Sequence, residues 1–281
     1  MDLGVVYFCT DQTISPTRLA TEVEQRGFES LFMTDHSHIP TSRVTPYPEV
    51  YGGGELPEFY KRTLELFVTL AAMAAVTERI RLGAGVALVG QRDALYTAKA
   101  IASLDHISNG RVIAGVGFGW NQDEAEHHGV DWGHRFTTVK QKVLAMKALW
   151  QQEVASADGD FVQFSDSWAW PKPIQSPHPP IYVGGAGPTT MRHTIEWGDT
   201  WYVVPSAADV TLEKAIPRLR RMAEEHGRDP DTVGVAVASG PPDPAVLAKY
   251  EEQGVERVAL WLDPADEAST LRGLDELAKL L

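Results

Sequence analysis

The amino-acid sequence predicts an eight-stranded (β/α)₈ TIM barrel. Three observations lead there. A β-branched apolar run followed by an amphipathic helix recurs along the chain. The 281 residues suit a fold that takes about 250 as one domain. The residues with chemical character gather just after the apolar runs, where such a barrel carries its sites.

The elements follow in order. Leu3–Phe8 is the first run; Ser15-Pro16 starts a helix, a capping residue before proline at the first helical position, and Arg26-Gly27 closes it. Ser30–Thr34 is the second run, followed by a long segment to about Tyr60. Lys61–Val76 then places Leu64, Phe67, Val68 and Ala71 on one helical face. Arg81–Val86 and the helix Asp93–Ser108 make the third unit. Arg111–Val116 is the fourth strand, with a short acidic stretch and a helix over Phe136–Gln152 behind it. Residues 158–180, rich in proline and aromatics, read as an excursion outside the barrel. Ile181–Val183 and the helix Thr189–Trp197 form the fifth unit. Thr200–Val204, Val233–Ala238 and Val258–Leu262 complete the strands, with helices near 210–226, 244–253 and 265–280. Strands alternating with helices imply a parallel sheet, and eight units close it; one domain is expected over residues 1–281.

Composition narrows the partners. A formal charge of −13 argues against nucleic acid or an anionic membrane, while leaving room for a local anion site. The single cysteine, Cys9, excludes a disulfide within the chain and suits a reducing, cytoplasmic setting; we read it as a packing residue. The start, Met1 to Phe8, lacks a basic region and a long apolar run, so no signal peptide is expected. No apolar stretch approaches the ~18 residues of a membrane span. A small-molecule substrate is the expected partner.

The loops after the strands hold the candidates. After the second strand stand Asp35-His36-Ser37-His38, where His36 can titrate near neutrality as a general acid or base, or serve as a structural residue. After the fourth, Gly117-Phe118-Gly119-Trp120 forms a platform for a planar ring or a strained strand exit. After the fifth, Gly184-Gly185-Ala186-Gly187 leads into a helix beginning Thr189-Thr190-Met191-Arg192. Free N–H groups, the helix dipole, Thr189 and Arg192 suit a phosphate there; a tight turn needing glycine is the other reading. His127-His128 read as a solvated loop feature. His36-x-His38 with Asp263 after the eighth strand raises a metal-dependent hydrolase, but the fifth and sixth strands end without ligands.

Four separated stretches carry a family resemblance: Gly27 to His36, Ala75 to Val86, Ala102 to Asn121 and Pro177 to Gly185. Together they resemble the bacterial luciferase-like superfamily, and within it the deazaflavin (coenzyme F-420)-dependent oxidoreductases. The resemblance implies that Asp35 and His36 stand at the deazaflavin ring, His36 as proton donor or acceptor. It implies a non-prolyl cis peptide at Gly85-Val86 against the ring, and coenzyme contacts from Asn121 beside Trp120 and from Gly184, Gly185, Thr189 and Arg192. It implies a homodimer through the helices after strands two and three. A departure is Gly198-Asp199-Thr200-Trp201, where relatives often read Gly-Asp-Gly-Trp. The expected activity is hydride transfer between coenzyme F-420 and a small organic substrate; an FMN-dependent monooxygenase is the alternative.

Overall fold

The computed structural model describes residues 1–207 and 211–281. Eight strands close a parallel barrel: β1 (Asp2–Tyr7), β2 (Ser30–Met33), β3 (Arg81–Ala84), β4 (Val112–Val116), β7 (Ile181–Gly184), β8 (Thr200–Val203), β9 (Gly234–Gly240) and β10 (Arg257–Trp261). They pair in that order around the ring, and β10 returns to β1. Between β4 and β7 an antiparallel hairpin, β5 (Ala155–Asp158) and β6 (Gln163–Ser167), lies outside the barrel. The expected excursion is therefore real, and it begins slightly earlier than its proline-rich part suggests.

Period-two alternation sorts the strand side chains between two layers. Val6, Phe32, Ile113, Tyr182, Tyr202 and Ala236 point into the barrel and pack on one another. Their neighbours Val5, Leu31, Ile181, Trp201 and Val235 face outward and pack with the helices. Phe32 fits inside because its neighbour on β3 is Gly83; a Cβ there would come within 2.4 Å of the Phe32 ring. Thr200 is likewise received by Gly234, so the family's glycine is not needed at that corner: the missing side chain is on the adjacent strand.

The outer layer contains α1 (Pro16–Gln25), α2 (Leu66–Ala74), α3 (Ala94–Ile107), α4 (Gln122–His127), α5 (Arg135–Gln151), α6 (Pro188–Trp197), α7 (Leu212–Glu225), α8 (Pro244–Glu252) and α9 (Glu267–Leu277). Several starts follow local chemistry: Ser15 accepts from Arg18 N, Asp93 from Tyr96 N and Asp266 from Ser269 N. α2 starts later than expected, because residues Glu58–Arg62 form a separate short turn of helix. Val210, the expected start of the helix before β9, lies outside the described residues. No helix among the described residues is long and apolar enough to cross a membrane.

At the N-terminal end of the strands Arg257 closes the floor. Its guanidinium donates to Glu29 at 2.7 and 2.8 Å, to Asp2 at 3.0 Å, and to the Tyr182 hydroxyl. The opposite end opens into a cavity of about 680 Å³.

Candidate active site

His36 leaves β2 into this cavity and is 8% exposed. Its Nδ1 lies 2.7 Å from Glu124 Oε2, and Glu124 is fully buried on α4. The other carboxylate oxygen accepts the Ser37 N–H at 3.1 Å. An ionised carboxylate only accepts, so His36 donates from Nδ1 and keeps Nε2 for a working proton. The ring is packed between Tyr60, 5.2 Å away, and Trp120, at 5.9 Å.

Asp35, one residue earlier, is directed elsewhere. Its carboxylate takes Arg92 Nη2 at 2.6 Å, Arg92 Nε at 2.9 Å and the Leu88 N–H at 2.9 Å. Burial acts to lower the Arg92 pKa, but Asp35 and Glu65 outweigh it and hold the guanidinium charged. All of this ties the loop after β3 to the loop after β2. Asp35 lines the cavity with its acceptors already engaged.

Aromatic rings build one end of the cavity. Phe8, Tyr47 and Tyr60 are buried there, with Phe59, Trp120 and Trp261 packed against them. Tyr47 and Tyr60 share a hydroxyl contact at 3.3 Å, and burial, assisted by Tyr47, pushes the Tyr60 pKa up, so its phenol stays neutral.

The floor is formed by main chain. The Gly85–Val86 peptide bond is cis, as the resemblance implied. Val86 fills spaces left by two glycines: a Cβ on Gly117 would lie 2.3 Å from it, and one on Gly184 2.7 Å. Those glycines are therefore already required by packing. Gly185 has φ +139°, and a Cβ there would meet the Thr190 hydroxyl at 2.5 Å. Beneath, the Tyr202 hydroxyl is buried with no hydrogen-bond partner.

The other end lies across the barrel at β4 and β7. Gly184, Gly185 and Thr190 line it, together with Arg135 at the start of α5. α6 begins with Gly187, which has no side chain to cap it, and Pro188, which has no N–H. The N–H groups of Thr189 and Thr190 thus have no helical acceptor. Arg135 rests on the rings of Trp132 (4.2 Å) and Phe136 (4.4 Å); its Nη1 donates to Trp132 O at 2.9 Å. Its Nε is buried without a partner, and burial lowers its pKa.

The residues singled out from the sequence divide between the cavity wall and its surroundings. His36, Asp35, Gly85, Val86, Trp120, Gly184 and Gly185 line the cavity; Thr189, Arg192 and Asn121 do not. Thr190, one position on, takes the wall in place of Thr189. Arg192 lies on the solvent side of α6, 3.9 Å from Glu196. Asn121 is 1% exposed, and neither polar atom of its side chain has a partner. Phe118 packs its ring against Phe136 at 4.6 Å and lines the cavity between Gly117 and Gly119. Cys9 is buried, and burial pushes its thiol up to about 12. His127 and His128 are exposed, at the end of α4, and both have partners: His38 contacts His127 at 2.9 Å, and Ser37 bridges His38 and His128. No group of three or more His, Cys, Asp and Glu side chains among the described residues has an arrangement for a metal ion. Glu124, Arg135, Tyr60 and Trp261 were missed.

A family model described as luciferase-like monooxygenase matches residues 15–277. An uncharacterized protein of Mycobacterium tuberculosis is 42% identical over 278 residues, covering 96% of this chain and 95% of its own. Among solved structures, monooxygenase RslO1 from Streptomyces bottropensis superposes with a TM-score of 0.80 at 20% identity, covering 100% of this chain and 98% of that one. An F-420-dependent secondary alcohol dehydrogenase in complex with an F-420-acetone adduct gives 0.76 at 18% identity, with the same coverage.

Proposed function

Since the chain belongs to the luciferase-like monooxygenase family, we propose that it is an oxidoreductase that uses coenzyme F-420 for hydride transfer to or from a small carbonyl compound or alcohol. The observation that carries this reading is the buried His36–Glu124 pair, standing at the mouth over the main-chain floor of Gly85 and Val86. Reduction of a carbonyl needs a proton as well as a hydride, and a fixed imidazole at the cavity wall can give one.

The residues present fit a flat ring with an anionic arm. The platform of Gly85, Val86, Gly117 and Gly119 presents little side chain to a ring face. The arm would meet Arg135, whose Nε lacks a partner, and the free N–H groups at the start of α6. When bound, the deazaflavin would supply or accept the hydride at ring carbon C5. His36 Nε2 gives a proton to the carbonyl oxygen during reduction and takes it back during oxidation. Glu124 fixes the tautomer and stabilises the imidazolium, as a buried carboxylate next to a histidine does. Asp35 is a positioning residue that holds the loops through Arg92. The neutral Tyr60 phenol and the surrounding rings exclude water from the proton. We extend the proposal to a homodimer through α2 and α3, where Val68 and Tyr96 stand exposed.

An FMN-dependent monooxygenase is the second reading, favoured by the description of the family model. Reduced coenzyme F-420 and reduced FMN, each mixed with the protein and a carbonyl panel under argon and then in air, separate the two. Oxygen-independent oxidation of reduced F-420 supports the proposal. Turnover of reduced FMN that requires oxygen, with none from F-420, contradicts it.

A further inference from the structure

The two ends of the cavity differ in charge as well as in shape. Among the described residues, the only cation lining it at the β4 and β7 end is Arg135. At the opposite end, among β1, β2 and β10, no lysine or arginine lines the wall among the described residues. The cations nearby in sequence are engaged: Arg43 lies over Trp120 at 5.7 Å, and Arg62 pairs with Asp11 and Glu58. The wall is instead a chain of rings running away from His36. Tyr60 lies 4.8 Å from Phe8, and Phe8 5.9 Å from Trp261. Trp261 donates its indole N–H to Asp263 Oδ1 at 2.6 Å, and among the described residues that carboxylate is the one charged group beyond the rings on the cavity wall.

We infer that this end selects uncharged ring-bearing ketones and the matching secondary alcohols, and that Asp263 rejects substrates with a carboxylate or phosphate beside the reacting carbon. The inference rests on the hydride-transfer reading above. A ring lying along Phe8, Tyr60 and Trp261 places its carbonyl toward His36 while its apolar faces leave water. The carbonyl carbon gains a hydride from the reduced coenzyme, its oxygen gains the proton from His36, and an alcohol and the two-electron-oxidised coenzyme result. An anion at the same place would be stripped of water with no cation to meet it, and would face a carboxylate of the same sign. Trp261 sets the position of that carboxylate through its indole N–H.

The test is calorimetric binding of acetophenone and of phenylglyoxylate, which share a phenyl ketone and differ in a carboxylate. It is made on protein loaded with coenzyme F-420 and on coenzyme-free protein. Acetophenone is expected to bind at least about tenfold tighter than phenylglyoxylate. Asp263→Lys is expected to shift that ratio at least about tenfold toward phenylglyoxylate. Trp261→Ala is expected to weaken acetophenone about tenfold. Equal or tighter binding of phenylglyoxylate by the wild type, a ratio unmoved by Asp263→Lys, or no binding of either probe would overturn the inference. Because the coenzyme-free measurement needs no turnover, a protein that failed to use F-420 could still show the selectivity. Turnover of phenylglyoxylate in preference to acetophenone would sink the selectivity alone.

Discussion

Two arginines at opposite ends of the barrel show how one residue type serves two purposes. Arg257 on the floor is almost fully enclosed, and Glu29, Asp2 and the Tyr182 hydroxyl take its donors. Burial would lower its pKa, but Tyr182, Glu29 and Asp2 outweigh that and the net shift is upward. Arg135 at the mouth has aromatic rings, one carbonyl contact and a buried Nε with no partner, and burial moves its pKa down. The first is a closed network that spends its charge on the fold. The second lines the cavity with its buried Nε unpaired. A group with unmet hydrogen-bonding capacity at a barrel mouth points to a ligand, whereas the same group satisfied at the floor points to stability.

That contrast is sharpened by variants that move one property and leave the others. The largest effect is expected at the proton itself. His36→Ala should lower kcat about 10²–10⁴-fold while coenzyme affinity stays near wild type, as read by single-turnover absorbance and by titration. Glu124→Gln, which keeps the shape and removes the charge, should cost about 1.5–3 kcal/mol in kcat/KM, roughly 10- to 150-fold. Arg257→Met should act on the fold, because it leaves Glu29 without its partner. We expect a loss of about 3 kcal/mol, or a fall in Tm of roughly 6–12 °C by calorimetry, with coenzyme affinity unchanged. Arg135→Gln should do the reverse, with Tm within about 2 °C and coenzyme Kd raised by roughly 10- to 150-fold. If both arginine variants lower Tm alike, the division between floor and mouth fails.

The smallest effect concerns pH. Burial, and after it the charge of His38, lowers the pKa of His128 below its usual 6.5. The folded state therefore binds that proton less readily than the unfolded chain. The sign follows: this contribution is fully present above pH 6.5 and is lost as pH falls below it. His128→Gln should flatten the fall in denaturant midpoint between pH 7 and pH 5; an unchanged slope would show that other groups set it.

The barrel was legible in the sequence because each strand is a short apolar run bounded by turn residues, and period two fixes which face is inside. α4 was not: six residues, Gln122–His127, carry acidic and histidine side chains and no apolar stripe. That is why Glu124 was missed, since its partner His36 stands 88 positions earlier and only the closed barrel brings the two together. The loop after β7 reaches the cavity through Thr190 rather than through Thr189 or Arg192. Helical spacing held a usable signal: Arg192 and Glu196, four apart, share the solvent face, while Thr190, Met191, Thr194 and Ile195 are buried. The glycines also answer to packing. Gly117 and Gly184 line the cavity and also receive the Val86 side chain, a contact that no local pattern encodes.

The most direct test of the central claim is a pair of fluorescence titrations of the purified protein, one with coenzyme F-420 and one with FMN. The account predicts micromolar or tighter binding of F-420 with FMN far weaker, and loss of that binding in Arg135→Gln. FMN binding as tightly as F-420 or more so would contradict it and move the protein to the oxygen-using chemistry of the family.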